Sequence, residues 1–391
     1  MTTFEEAYNI VISSPVLLKK ETVILEQALS RTLAEDISSD TDIPPFDKSA
    51  MDGYACRRED LQNELESLET IAAGSIPSKP IGKNQCSKIM TGAKIPDGAD
   101  CVIMVEHTEI TDKNKICFKG KNTANNISYK AEDVKKGEIV LKKGVLIQPQ
   151  HIAVLASAGC YNTPVYKRAK VAVISTGDEL VEPYNIPSSV QIRNSNAYQL
   201  ITQALKTGAI PAYYGIAKDD PHITKTLIDK AFSENDVVLI TGGVSMGDFD
   251  FIPEVLKENS IKILFEKLDV KPGRPTVFGT CNNKYIFGLP GNPVSSFVIF
   301  EMLVKPFLYK MMGYVFLPKD NFIPLEFGFT RKKSDRLSWI PVRYNKKGNV
   351  EIIEYHGSAH IHSLCFADGI ITIPKDVNEI KNGERVSVRQ I

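Results

Sequence analysis

The sequence predicts a multidomain protein whose central three-layer α/β domain, built on a mostly parallel sheet, lies between two β-rich regions. Between about residues 168 and 312, apolar strand-like runs alternate with segments of helical periodicity. Outside this block, short apolar segments are separated by Gly, Pro and Asn, which is typical of small β units. The length of 391 residues is also more than a single compact core usually holds.

The N-terminal region is predicted to be mixed and β-rich. Residues 1–45 and 121–166 form a discontinuous α+β linker domain, into which a β-rich domain of residues 46–120 is inserted. Phe4, Ala7, Ile10 and Val11 have helical spacing, so a helix is expected over residues 4–13. A second helix is expected over 149–158, because a proline opens it and a glycine follows its end.

The α/β domain is expected to span residues 167–315, and a small β-barrel-like domain residues 316–391. Within the former, parallel βαβ units with right-handed crossovers are expected. The predicted strands there are at 171–174, 212–216, 237–240, 261–265 and 285–287. The predicted helices are at 197–205, near 223–232, near 252–258 and from Pro293 onward. The C-terminal strands are expected at 339–342, 350–353, 370–373 and 386–388.

Composition excludes several classes of function. Lys plus Arg equals Asp plus Glu at 47 each, so bulk electrostatic binding to nucleic acid or to an anionic membrane is not indicated. No apolar run reaches the roughly 20 residues that span a bilayer, and the acidic start is unlike a signal peptide. The seven cysteines are dispersed without a CxxC pair, which predicts reduced thiols in a cytoplasmic protein.

The most informative stretch is residues 241–250 (TGGVSMGDFD), which follows a buried-strand pattern. Gly242 and Gly243 allow backbone to approach an oxyanion such as phosphate, and the hydroxyl of Ser245 adds a donor. The acids at 248 and 250 suit a divalent cation that neutralises the anion. The alternative is a strand-to-helix turn that uses glycine for geometry alone.

Other predicted strand ends carry similar groups. Because ligands of open α/β sheets bind beyond the carboxyl ends of the strands, these side chains and turns are expected to meet in one binding crevice. The residues concerned are Ser175, Thr176, Gly177 and Glu179; Asn194 and Ser195; Asp219; Lys267 and Lys271; and Pro290, Gly291, Asn292 and Pro293. Helix caps and turns are the alternative explanation for several of them. The chain has no Walker P-loop, no GxGxxG and no nucleophile elbow.

Seven short motifs in order give the chain a family resemblance. It resembles the molybdopterin molybdenumtransferases of the MoeA type, which are related to the gephyrin E domain. The motifs are 47–55 (DKSAMDGYA), 90–93 (MTGA), 175–180 (STGDEL), 219–221 (DDP), 241–247 (TGGVSMG), 271–273 (KPG) and 288–293 (GLPGNP).

The resemblance implies an enzyme of molybdenum cofactor biosynthesis. Such proteins bind molybdate and molybdopterin-AMP, release AMP in a Mg²⁺-dependent reaction and form the metal-loaded pterin. They are homodimers with a site shared between subunits, and a molybdopterin adenylyltransferase and molybdoenzyme-maturation proteins are expected partners.

The resemblance also implies roles for individual residues. Glu179, Asp219 and Asp250 would form the nucleotide and Mg²⁺ site, with Asp52 and Thr91 supplied by the second subunit. Lys267 and Lys271 would lie near phosphate and molybdate, and Pro290 and Pro293 would shape the adjacent loop. The remaining positions, which the family associates with oxyanion binding, are Arg343 and Ser358.

Two alternatives remain at this stage. A molybdopterin adenylyltransferase shares the α/β block, but its chain is about half as long and lacks the motifs at 47–55 and 90–93. A gephyrin-like scaffold is the other alternative, and the absence of a long disordered linker and of a second fused domain argues against it.

Overall fold

A six-stranded sheet forms the centre of the molecule. The computed structural model describes residues 1–218, 221–243, 261–354, 357 and 359–391. In spatial order, the strands of the central sheet are Ile210–Ala217, Lys170–Thr176, Val237–Thr241, Lys284–Leu289, Val277–Cys281 and Lys262–Phe265. The first four strands are mutually parallel. The predicted α/β domain with a mostly parallel sheet is thereby confirmed.

The strand Lys170–Thr176 shows how the three layers arise. Its side chains point alternately to the two faces of the sheet, as strand geometry requires. Val171 and Val173 pack in a core that also contains the helix Asn196–Lys206, whereas Ala172 and Ile174 pack with residues of the helix Pro221–Glu234. Because both faces are covered by helices, the strand is apolar almost throughout.

One edge of this sheet departs from the predicted pattern. Strand Val277–Cys281, which the sequence analysis did not identify, runs antiparallel to both of its neighbours. A tight turn at Asn282 and Asn283 joins it to Lys284–Leu289, and both turn residues have positive φ, 51° and 61°. Two successive positive φ values are the signature of a hairpin turn, and asparagine tolerates them well.

The helices agree in position with the sequence patterns. They are Phe4–Ser13, Pro149–Ser157, Asn196–Lys206, Pro221–Glu234, Pro293–Ile299 and Lys305–Met311. The long helix expected from Pro293 is interrupted, because residues Phe300–Val304 form a π-helical segment between the last two. The helix expected near 252–258 lies outside the described residues.

The N-terminal region consists of small sheets. Strands Glu66–Ile71, Gln85–Ile89, Gly53–Cys56 and Cys101–Met104 form a four-stranded sheet in that order. Four further pairs connect the region: Lys20–Ile24 with Asn162–Tyr166, Ile37–Ser38 with Ile139–Leu141, Lys48–Ser49 with Ile127–Ser128, and Thr108–Ile110 with Ile116–Phe118. The predicted β-rich character of this region is confirmed.

The C-terminal region is a second β unit. Its principal sheet contains Asp320–Pro324, Leu337–Tyr344, Val350–Ile352, Gly369–Ile373 and Arg385–Gln390, and a ribbon pairs Phe329–Thr330 with Glu379–Ile380. Strand Val270–Lys271 of the α/β region joins this sheet beside Leu337. The backbone hydrogen bonds of a sheet therefore connect the two regions.

The N-terminal helix packs on the α/β core. Ala7 and Val11 are fully buried in the cluster that contains the central sheet, and the ring of Phe4 lies 5.0 Å from that of Trp339 in an edge-on contact. A capping box starts the helix, since Thr3 and Glu6 exchange backbone and side-chain hydrogen bonds. Within the part of the chain that the structure describes, every helix is too short or too polar to span a bilayer.

The aromatic cluster beneath the central sheet provides a test of this core. The ring of Phe278 is fully buried and lies 4.6 Å from Phe287 and 5.7 Å from Phe307. We expect Phe278→Ala to lower the free energy of unfolding by about 3–5 kcal/mol, because it leaves a cavity. Chemical denaturation measures this change. The control is Phe327→Ala, at a side chain that is 66% exposed; an equal loss in both variants would contradict the assignment of Phe278 to a core.

Candidate functional site

A cavity of about 580 Å³ lies beyond the carboxyl ends of the parallel strands. It is lined by two strand ends, the start of the helix Asn196–Lys206 and the loop that precedes Pro293. The described lining residues are Thr176, Gly177, Glu179, Leu180, Ile192, Arg193, Asn194, Ser195, Asn196, Thr241, Gly242, Gly243, Pro275, Pro290, Gly291, Asn292, Pro293 and Ala359. Groups from six separate stretches of sequence therefore meet in one place.

Gly242 is required by the close approach of two strand ends. Its φ is +95°, and a Cβ atom there would lie 2.5 Å from the carbonyl oxygen of Thr176 and 2.8 Å from its hydroxyl. Its N–H donates to the carbonyl of Leu289 at 3.2 Å, and the N–H of Gly177 donates to Ala217 at 3.3 Å. These two glycines thus provide space, and their N–H groups already have partners. At these two positions glycine is therefore required by the backbone geometry alone. Any hydrogen-bond donors to a bound anion must be other groups.

Thr176 supplies such a group. The residue is buried, it lines the cavity, and its hydroxyl oxygen has no hydrogen-bond partner among the described residues. A buried hydroxyl without a partner costs about 1–3 kcal/mol, which a bound ligand or water would recover. This unsatisfied hydroxyl is direct structural support for a polar ligand in the cavity.

Asn196 holds the floor of the cavity together. Its side-chain amide donates to the hydroxyl of Thr241 at 2.9 Å and to the carbonyl of Gly291 at 2.7 Å. The hydroxyl of Thr241 in turn donates to the carbonyl of Pro290 at 3.2 Å. One side chain therefore connects the start of a helix, the end of a strand and the loop before Pro293. The sequence places it in the polar stretch 193–196 before a predicted helix, but predicts no individual role for it.

A second network lies behind the wall formed by Asn194. The Asn194 oxygen accepts from the Ser175 hydroxyl at 3.0 Å, and its amide donates to the Tyr213 hydroxyl at 2.9 Å. Tyr213 donates to Glu182 at 2.6 Å, and Tyr198 donates to the other oxygen of the same carboxylate at 3.0 Å. Burial and the hydrogen bond to Glu182 raise the pKa of Tyr213, so its hydroxyl stays protonated. Ser175 consequently faces Asn194 and does not line the cavity.

Charged groups at the cavity are few. Among its described lining residues, Glu179 is the one acid and Arg193 the one base. The carboxylate of Glu179 folds back beside Gly177, where a Cβ atom would lie 2.5 Å from it. No cluster of three or more His, Cys, Asp or Glu suited to a metal occurs among the residues described. The other predicted acids, Asp219 and Asp250, lie outside the described residues, as do Ser245 and Ser358.

The two predicted lysines lie outside this cavity. Lys271 and Pro272 line a second cleft of about 680 Å³, between the α/β region and the C-terminal sheet. Its floor is apolar and includes Trp339 and Ile353, and Lys332 and Lys333 contribute further positive charge. Since residues 271–272 line this cleft and Pro275 lines the first cavity, one short loop separates the two. The remaining lysine, Lys267, lies in a shallow groove beside Met1 and Thr2.

Asp52 and Thr91 form a contact of their own. One carboxylate oxygen of Asp52 accepts from the Thr91 N–H at 2.6 Å and from its hydroxyl at 2.9 Å. The backbone hydrogen bond, followed by the hydroxyl, holds the pKa of Asp52 below its usual range. The next residue, Gly53, must be a glycine, because a Cβ atom there would lie 2.0 Å from the carbonyl oxygen of Ile103. Neither Asp52 nor Thr91 lines the cavity.

Arg343 also lies away from both cavities. Its guanidinium is exposed and contacts the carboxylate of Glu351 at 3.2 Å. Its predicted role in oxyanion binding therefore stays a prediction.

A three-layer α/β domain with a polar cavity at its strand ends, joined to two β units, defines a class of ligand-binding α/β proteins. Family models match along most of the chain. Residues 2–159 match the MoeA N-terminal region (domain I and II), residues 172–310 the probable molybdopterin binding domain, and residues 325–391 the MoeA C-terminal region (domain IV). The chain belongs to the MoeA family.

Individual relatives agree with this assignment. The molybdopterin molybdenumtransferases of Staphylococcus aureus (strain Mu50) and Staphylococcus epidermidis (strain ATCC 12228) are each 40% identical over 316 residues, covering 79% of this chain and 75% of theirs. The crystal structure of the molybdopterin biosynthesis MoeA protein from Pyrococcus horikoshii OT3 is 32% identical, with a TM-score of 0.85 and complete coverage of both chains. The fold prediction is confirmed.

The close approach at Gly242 leads to a prediction. We expect Gly242→Ala to lower the free energy of unfolding by at least about 2 kcal/mol, because the new methyl group meets backbone in a conformation that alanine disfavours. Urea unfolding measures the loss. In the control, Gly291→Ala, the nearest atom to the new methyl group is 3.7 Å away. Equal stability of the two variants would contradict the proposed packing.

The Tyr213 network leads to a second prediction. We expect Tyr213→Phe to lower the free energy of unfolding by about 1–3 kcal/mol, because it leaves Asn194 and Glu182 each one partner short. Hydrogen exchange at the amides of Ile192 and Asn194 should become faster. The matched control is Tyr161→Phe, at an exposed ring. Unchanged exchange in the Tyr213 variant would show that the network does not hold the wall.

Proposed function

We propose that the protein transfers molybdenum from molybdate to the pterin of molybdopterin-AMP and releases AMP. Family membership supports the reaction class, and the molybdenumtransferases named above are its relatives. The structural observation that carries the proposal is the buried Thr176 hydroxyl, which has no hydrogen-bond partner among the described residues and belongs to a residue that lines a cavity at the strand ends. Beyond the strand ends is where open α/β sheets bind nucleotides.

The cavity suits the adenylylated phosphate group. Thr176 supplies a hydroxyl donor and Arg193 a positive charge. Breaking a phosphoanhydride places charge on the departing phosphate, which positive groups stabilise. The attacking oxygen comes from molybdate or from water, so no protein nucleophile is needed.

Mg²⁺ dependence belongs to the same proposal. Magnesium prefers oxygen ligands and commonly bridges one or two carboxylates and substrate phosphates. Glu179 offers a carboxylate at the cavity, and Asp219 and Asp250 are the further ligands expected from the family resemblance. When bound, the ion would offset the negative charge of the phosphoanhydride.

We assign the second cleft to molybdate and the dithiolene end of the substrate. Molybdate is a tetrahedral dianion, so it requires cationic donors. Lys271 lines this cleft together with two further lysines, and one loop separates it from the nucleotide cavity. A substrate with its nucleotide in the first cavity would have its pterin at this loop. Lys267, Arg343 and Ser358 retain their expected oxyanion roles as part of the proposal.

A homodimer with a shared site explains the separate Asp52–Thr91 pair. These residues carry family motifs but do not line the cavity of their own subunit. Beside the cavity mouth, the segment between strands Leu180–Val181 and Ile192–Arg193 exposes three large apolar side chains: Tyr184 at 81%, Ile186 at 89% and Val190 at 79%. Exposed apolar groups rimmed by polar residues are typical of protein interfaces. They suit burial against a second copy.

The cellular setting follows from the chemistry. We expect a cytoplasmic enzyme, since all seven cysteines are free thiols. Its substrate must come from a molybdopterin adenylyltransferase, and its product must pass to proteins that mature molybdoenzymes. Neither nucleic acid nor a membrane is needed as a partner.

AMP release tests the proposed function. With molybdopterin-AMP, molybdate and Mg²⁺, the wild-type protein should release AMP, and Glu179→Gln should reduce kcat by about 100-fold or more through loss of the carboxylate charge. The control is Glu379→Gln, at an exposed position on the C-terminal ribbon. If the wild-type protein instead consumed ATP and molybdopterin, it would be an adenylyltransferase. Absence of both reactions would favour a scaffold.

Mixed dimers test the shared site. Asp52→Ala and Glu179→Ala homodimers should each be inactive, whereas purified mixtures should regain roughly a quarter of wild-type activity, because half of the dimers are mixed and each has one intact site. Mass spectrometry verifies that the mixed dimers form. No recovery in verified heterodimers would show that Asp52 and Glu179 act within one subunit.

A further inference from the structure

Three cysteines lie side by side across the N-terminal four-stranded sheet. Cys56 is directly opposite Cys86 on one neighbouring strand and directly opposite Cys101 on the other. All three side chains are fully buried in one apolar cluster, which also contains Leu65 and Ile103. The proposed reaction uses none of them, so this row requires its own explanation.

The geometry favours one of the two pairs. The sulfur atoms of Cys56 and Cys101 lie 3.7 Å apart, in hydrogen-bonding contact. Residues directly opposite in an antiparallel pair have Cα atoms about 4.5 or 5.5 Å apart. Both values fall within the range of about 4.4–6.8 Å that a disulfide requires. Moving the sulfurs to bonding distance therefore takes about 1.7 Å of side-chain motion, without a shift of the strands.

The chemistry favours the same pair. The hydrogen-bonding contact between the two sulfurs lowers the pKa of Cys101 and raises that of Cys56. Burial raises the pKa of Cys86 to about 12, so that thiol stays protonated. The thiolate is the nucleophile in thiol oxidation. Of the two sulfurs in contact, we therefore take Cys101 as the one that attacks the oxidant.

Cys101 also lies where the sheet opens most easily. It is the first residue of strand Cys101–Met104, which is one of the two edge strands of this sheet. Edge-strand ends open at lower free energy than central strands do. A small oxidant can reach the pair by such local opening, although both sulfurs are buried in the closed fold.

We propose that Cys56 and Cys101 are a reversible oxidation site that forms a cross-strand disulfide in the folded protein. With hydrogen peroxide as oxidant, the Cys101 thiolate attacks one peroxide oxygen, giving a sulfenic acid and, after protonation, one water. The Cys56 sulfur then attacks the Cys101 sulfur, the S–O bond breaks, and a second water leaves. The two thiols lose two electrons in total, and a dithiol reductant restores them. This proposal is independent of the proposed enzymatic function.

Peptide mapping of the oxidised native protein tests the proposal. Trypsin places Cys56, Cys86 and Cys101 on separate peptides, residues 49–57, 84–88 and 95–113. After treatment with hydrogen peroxide and alkylation of the remaining thiols, we expect peptides 49–57 and 95–113 to be linked. The linked species should be two hydrogens lighter than the sum of the two peptides, and dithiothreitol should separate it.

Two variants and a denatured sample complete the test. Cys86→Ala should keep the link, and Cys101→Ala should abolish it. If Cys56 linked mainly to Cys86, or if the 56–101 link formed only in denaturant, the proposal would be overturned. The proposal would also be overturned if native wild-type protein formed no link under conditions that oxidise the exposed Cys365. The wild-type result decides the question even if a variant fails to fold.

Discussion

The close approach of two parallel strands at their carboxyl ends is the constraint on which the rest of the site depends. Strands Lys170–Thr176 and Val237–Thr241 pair in register as far as Ser175 and Thr241, so the chain leaving one must pass the backbone of the other. Gly242 permits this passage because any side chain there would collide with Thr176. The same crowding buries the Thr176 hydroxyl, which has no hydrogen-bond partner in the described part of the chain. Packing and ligand binding thus have one structural cause.

The cavity is held by a small number of polar side chains. Asn196 ties the floor together, and the chain of hydrogen bonds from Ser175 through Asn194 and Tyr213 to Glu182 supports one wall. Most of these side-chain groups have partners within the protein. They position the backbone, and few side chains remain to bind a substrate directly. This arrangement suits an enzyme whose chemistry depends on holding two anionic reactants close together.

The fold could be predicted well from the sequence where local periodicity coincides with burial. The runs around Val171–Ile174 and Val237–Ile240 are apolar because they are covered on both faces, so their pattern was unambiguous. Strand Val277–Cys281 was missed, because a short apolar run interrupted by glycine carries little signal. The antiparallel hairpin that contains it depends on two asparagines with positive φ.

The site could be predicted only in part. The motifs at 176–177 and 242–243 indicated strand ends, and the structure places them in one cavity. Glu182 and Tyr213 could not be found this way, because their contact joins residues 31 apart in sequence and follows no short motif. Nor could the sequence distinguish glycines that bind an anion from glycines that allow close packing. Only the hydrogen bonds of Gly177 and Gly242 show that the second role applies.

The central claim is that the cavity at the strand ends binds the nucleotide half of the substrate. A crystal structure of the protein with bound AMP tests it most directly. We expect phosphate density within hydrogen-bonding distance of the Thr176 hydroxyl, bounded by Gly242 and the loop at 290–293. Well-ordered AMP bound elsewhere, with this cavity occupied only by water, would contradict the account.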